Sequence, residues 1–160
     1  MRRLLALTLS LATPSCATPY QDMGFRGGVE ATRLDNDTLS IGSRGNAYTD
    51  KATIQDYALL KAAEETVKAG NDLFLVAEIY SDDKLDIVTT SPATSESTST
   101  FTGSGFKTTT TYYPPQTTSY AKPGTLMLVK MFKGEKPLNS PPTLFSAHEI
   151  IRYLGPEYKR

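Results

Sequence analysis

Eighteen of the 31 residues from Thr89 to Ser119 are Ser or Thr, and no other feature limits the fold of this chain so strongly. Such a stretch removes little apolar surface from water and cannot offset the entropy of ordering it. A hydrophobic core must therefore come from the flanks. Leu, Ile, Val and Phe number 29 in the 145 residues from Cys16 onward, with five of them in residues 84–123 and 24 in the other 105. The expectation is one domain interrupted by an insertion over 84–123, flexible or folded as a polar hairpin turning at Gly103 to Gly105.

The flanks carry clear periodicities. Val29, Ala31, Leu34, Leu39 and Ile41, broken by Asp35-Asn36-Asp37, predict two short strands joined by a tight turn. From Thr49 to Gly70 strong helix formers predominate, Thr49 or Asp50 can cap the free N–H groups, and Gly70 supplies a stop. Leu73 to Tyr80 is apolar on both faces, the pattern of a central strand. Thr125 to Lys133 reads as a partner strand bounded by glycines and proline. At the end, Ser146 and Glu149 have capping-box spacing, and Ala147, Ile150, Ile151 and Leu154 form a stripe expected to stop at Gly155-Pro156. The predicted architecture is α+β: a small antiparallel sheet, β-β-α-β-β-α along the chain, with one long helix on a face. Residues 1–15 are expected to be a signal peptide, 16–28 a tether, and 29–160 a single domain.

Charge and composition exclude several function classes. Lys plus Arg and Asp plus Glu are 17 each, so there is no basic field for a phosphate backbone, and nucleic acid is not an expected partner. One cysteine, one histidine and no tryptophan leave no internal disulfide and no Cys/His zinc cage; no metal or cofactor is expected. Neither Gly24-Phe25-Arg26-Gly27-Gly28 nor Thr102-Gly103-Ser104-Gly105-Phe106 has the spacing of a phosphate cradle or a nucleophile elbow.

The first residues look like an address. Arg2 and Arg3 precede an apolar run from Leu4 to Ala12, too short to span a bilayer, and the segment ends Thr13-Pro14-Ser15-Cys16. This resembles the lipobox of bacterial lipoproteins, with Ser15 matching and Thr13 and Pro14 departing from the usual pattern. The resemblance implies a diacylglyceryl group on the Cys16 sulfur, cleavage before it and acylation of its new amino group. Two or more chains hold a protein firmly on a membrane where one does not. The absence of Asp after Cys16 favours the outer membrane, facing the periplasm. An ordinary signal peptide cut nearby is the alternative.

Three further stretches, Cys16-Ala-Thr-Pro-Tyr20, Arg44-Gly-Asn-Ala-Tyr-Thr49 and Asp56 to Gly70 with its Ala-Leu-Leu-Lys-Ala-Ala-Glu core, together with the Ala147 to Leu154 helix, resemble an uncharacterised family of small Gram-negative lipoproteins. That resemblance implies a lipoprotein with an α+β domain and assigns no activity.

Candidate chemistry is sparse. Asp56 is the one charge within the apolar stripe of the first helix and Arg44 lies just before that helix; an ion pair or hydrogen bond is the simpler role for both. Arg44, Asn46, Asp56 and Glu64 are the possible polar site, should the fold bring them together. Tyr112 and Tyr113 before Pro114-Pro115 offer stacking surfaces. The leading expectation is a non-enzymatic, lipid-anchored envelope protein of structural or interaction type, with an envelope protein or the cell wall as partner. The alternative is a periplasmic binding module for a small ligand or glycan; a carboxylate hydrolase using Asp56 and Glu64 is a third.

Overall fold

A computed structural model describes residues 16–159; the expected signal peptide, 1–15, lies outside the described residues. Nine strands and two helices follow in order: β1 (Gly28–Arg33), β2 (Thr38–Arg44), α1 (Lys51–Lys68), β3 (Leu73–Ser81), β4 (Lys84–Ser91), β5 (Thr94–Phe101), β6 (Phe106–Tyr113), β7 (Gln116–Lys122), β8 (Gly124–Phe132), β9 (Leu144–Ser146) and α2 (Ala147–Tyr158).

This corrects the predicted fold class. The chain is mostly β, with its strands in three sheets, and is not a small α+β domain of four strands. The Ser/Thr-rich insertion supplies much of the difference, because it is neither formless nor a single short hairpin. It forms two ladders, β4 with β7 and β5 with β6, both antiparallel. Threonine is β-branched and suits a pleated backbone even where nothing is buried. Hydroxyl pairs across the ladder, Ser97 with Thr110 at 2.8 Å and Ser99 with Thr108 at 2.7 Å, add cross-strand bonds that low hydrophobicity does not forbid.

The five-stranded sheet has the order β1-β2-β8-β3-β9, antiparallel throughout. Helix α1 packs across one face and α2 lies against α1. The core is Leu39 and Ile41 from β2, Phe74 and Val76 from β3, Met127, Val129 and Met131 from β8, and Ala58, Ala62 and Ala63 from α1. Three alanines bring the helix close to the sheet, and each large side chain contributes about 1.5–3 kcal/mol on leaving water. Asp50 caps α1, its carboxylate accepting from the Thr53 N–H at 2.7 Å; this bond holds the Asp50 carboxyl below its ordinary range.

Two local expectations change. The register of β3 shifts between Val76 and Glu78, so a bulge at Ala77 turns Ile79 onto the face of Phe74 and Val76, opposite the alternation read from sequence. Helix α2 continues through Gly155 and Pro156 to Tyr158. The proline removes one N–H, yet the Tyr158 ring packs edge-on against Tyr57 at 5.0 Å and its hydroxyl bonds Asp56, contacts that hold the last turn in place. Ser146 stands at the N-cap without a side-chain cap bond.

Strands β3, β4 and β5 run out and β6, β7 and β8 return, so the paired segments form one ribbon in three sections. Proline marks both interruptions, Pro123 at the root and Pro92 opposite Pro114-Pro115 further out; its missing N–H breaks a ladder. Beyond the sheet, residues 84–101 would extend roughly 60 Å at the rise of a strand. From 84 to 121 every residue except Gly105 is exposed. The arm has no core beneath it.

Candidate functional site

The stretch expected to be a tether is fastened to the domain, and Thr18 is the fastening. The residue is 1% exposed. The Thr18 N–H donates to Thr49 Oγ1 at 2.8 Å, its hydroxyl donates to the Arg26 carbonyl at 2.9 Å and accepts from the Asn46 N–H at 2.9 Å, and its carbonyl accepts from the Tyr57 hydroxyl at 2.9 Å. Every polar group of this buried residue is thus satisfied, as burial requires. Cys16, two residues earlier, is exposed, while its carbonyl accepts from Asn46 Nδ2 at 2.7 Å.

A row of tyrosines extends the clamp. Tyr20 and Tyr158 each meet Tyr57 edge-on, at 5.4 and 5.0 Å between ring centres, the preferred geometry of aromatic pairs. The Tyr20 hydroxyl donates to Glu64 at 2.9 Å and the Tyr158 hydroxyl to Asp56 at 2.8 Å. Burial first, then the neighbouring carboxylate, pushes both phenols well above their ordinary value; burial likewise raises Tyr57. The second Glu64 oxygen pairs with Lys159.

The four residues singled out as a possible polar site fall into two roles. Asn46, Asp56 and Glu64 all serve the clamp on the N-terminal segment. Arg44 stands apart: its guanidinium donates twice to Asp82, at 3.0 and 2.7 Å, at the root of the arm. Nearby, Lys51 pairs with Asp83 at 3.1 Å, and the Gly124 N–H donates to the other Asp83 oxygen at 3.0 Å. That amide, followed by Lys51, lowers the Asp83 carboxyl from its ordinary range. The Gly45 N–H donates to the Pro123 carbonyl at 2.9 Å. A Cβ at Gly124 would stand 2.2 Å from the Asp82 carbonyl oxygen, so the two chains of the root approach as only glycine allows.

The Arg44-Gly-Asn-Ala-Tyr-Thr49 motif therefore acquires a physical meaning. One loop holds the root of the arm through Arg44 and Gly45, and the Cys16 segment through Asn46 and Thr49. Sequence reasoning missed Thr18, Tyr20, Tyr57 and Tyr158. Tyr57 at least carried a signal, as an aromatic one residue past Asp56 on a helix whose other aromatic positions are empty.

Between the two attachments lies an open groove of about 940 Å³ lined in part by Cys16, Tyr20, Phe25, Arg26, Lys122 and Tyr158. Among the described residues no helix is long and apolar enough to cross a membrane, and no three His, Cys, Asp or Glu side chains are grouped as a metal ion would need. His148 does not line this groove; it lines a separate hollow with Asp72 and Glu149. No protein-family model, curated protein or solved structure matches the chain.

Proposed function

We propose that the protein is a lipid-anchored lipoprotein of the bacterial cell envelope, held in the outer membrane and facing the periplasm by acyl chains on Cys16. It acts without catalysis, as a mount that presents the β4–β7 arm to an envelope protein or the cell wall. The observation that carries this reading is the arm itself. A two-stranded ribbon without a covered face is marginal in water, and this one exposes Leu85, Ile87, Phe101, Phe106, Tyr112 and Tyr120. A partner surface would complete it. The shared loop at 44–49 supports the same reading, since it couples the arm's root rigidly to the residue that would carry the lipid.

A second reading, a binding module for a glycan, draws on Tyr112 and Tyr113, both exposed on β6. The first is tested by the intact mass of the membrane-extracted protein beside its Cys16→Ser variant, with crosslinking of envelope partners in cells. The expected mass is that of the chain from Cys16 plus acyl groups, and crosslinks are expected to vanish when residues 89–119 are deleted. An unmodified chain released with the soluble periplasm would refute the anchor. Glycan binding lost on the same deletion, with no protein crosslinks, would favour the second reading.

A further inference from the structure

We propose that the Phe25-Arg26 turn is a membrane-contact element that lies in the phospholipid headgroup layer beside the anchor, an inference that rests on acylation of Cys16. Cys16 has no slack in its attachment to the domain. One residue separates Cys16 from Thr18, whose buried backbone and side chain are fixed by four hydrogen bonds, and the Cys16 carbonyl is itself held by Asn46. Acyl chains on Cys16 enter hydrocarbon only if its backbone reaches the interface, and the domain surface around it must follow.

That surface presents an aromatic ring beside a cation. Gly24 and Gly27 exchange backbone hydrogen bonds, each 3.1 Å, so Phe25 and Arg26 form the tip of a two-residue turn. Gly27 adopts φ of +93°, and a Cβ there would stand 2.3 Å from the Arg44 carbonyl oxygen; the turn is seated on the root of the arm. Thr18, two residues from the anchor, also bonds the Arg26 carbonyl. Phe25 lines the same groove as Cys16 and is fully exposed, which is costly for a phenyl ring in water. Arg26 beside it makes no ion pair among the described residues, and neither does Lys84 at the arm's root. An aromatic with an unpaired guanidinium suits the interface, where the ring enters the acyl boundary and the cation meets anionic headgroups.

The chain contains no tryptophan, so Phe25→Trp places a single reporter at the tip. Full-length Phe25→Trp protein, extracted from membranes and checked by intact mass, is reconstituted into phosphatidylethanolamine/phosphatidylglycerol vesicles containing lipids brominated on the acyl chains. The control is Leu138→Trp, equally exposed but in the loop after β8, at the end of the sheet away from Gly124. At least twofold stronger bromine quenching of the position 25 reporter is expected, with a blue-shifted emission that Arg26→Glu diminishes. Equal quenching at the two positions in acylated protein would overturn the contact and leave the anchor standing. An unacylated chain with no quenching at position 25 would overturn both.

Discussion

Replacing Thr18 by valine keeps the shape and the burial of the side chain and removes one hydroxyl. That hydroxyl donates to the Arg26 carbonyl and accepts from the Asn46 N–H, each at 2.9 Å. Both bonds are part-buried, sheltered on the Thr18 side, while Arg26 itself is an exposed residue. A lost hydrogen bond costs about 0.5–1.5 kcal/mol, and a partner left unpaired costs about 1–3 kcal/mol, so partial exposure places the pair of losses at about 2–4 kcal/mol. The ceiling is the free energy of docking residues 16–28 itself, because a clamp weakened beyond that simply releases the segment. Urea unfolding of the Cys16→Ser protein, with and without Thr18→Val, measures the change from the shift in midpoint at constant slope. Limited proteolysis should show new cleavage within 16–28 in the variant. An unchanged midpoint together with unchanged protease resistance would refute the claim that Thr18 fastens the N-terminal segment.

Three other consequences can be checked independently. Gly27→Ala puts a Cβ against the Arg44 carbonyl and forces a left-handed conformation on a residue that resists it, so the Phe25 turn should detach at a cost of about 1–3 kcal/mol, seen as a lowered melting temperature. Tyr20 and Tyr158 have folded-state pKa values raised above the ordinary value of 10.0 by burial and then by Glu64 and Asp56. Their contribution to stability is therefore complete below pH 10 and declines as pH rises beyond it, toward the folded-state values. Phenolate absorbance of the native protein should leave these two rings silent when exposed tyrosines have ionised, and release them on alkaline unfolding; simultaneous titration of all nine tyrosines would contradict this. The Arg44–Asp82 pair is 44% exposed on each side, so a double-mutant cycle should return a coupling of only about 0.2–1 kcal/mol, although protease sensitivity at the arm's root should rise.

The helix at 51–68 and the strands on either side of it were legible because their apolar spacing and capping residues act locally. Leu34 illustrates the limit of that signal. It continues the apolar pattern of β1 yet sits exposed in the turn, displaced by backbone bonds from the Leu34 and Asp35 N–H groups to the Thr38 carbonyl. The arm was hidden for a different reason. Its Ser/Thr content says correctly that nothing is buried there, but β-branched residues form a ladder through backbone bonds that hydropathy does not weigh. With the arm went the fold class, since four of the nine strands belong to it.

The possible polar site was half legible. Asp56 inside an apolar stripe signalled a partner, and that partner is a tyrosine hydroxyl 102 residues away, a distance no local pattern spans. Glu64 and Lys68 have the four-residue spacing of a solvated helix pair, but the Lys68 ammonium meets Glu65 at 3.4 Å, and Glu64 holds Tyr20. The polar, glycine-rich composition of 16–28 suggested a tether because flexibility and tight turns draw on the same residues. Here the glycines serve the turn, and Thr18 and Tyr20 serve the core.

The segment carrying Cys16 is part of the folded domain and not a leash, fixed by the bonds of Thr18 and Asn46. Native-state hydrogen exchange of the acylated protein, read over residues 16–28, tests this most directly. The Thr18 N–H bonded to Thr49 and the Met23 N–H bonded to the Val29 carbonyl should exchange as slowly as the amides of β1. Exchange at the rate of an unstructured chain, with β1 still protected, would contradict the clamp and remove the basis for seating this face on the membrane.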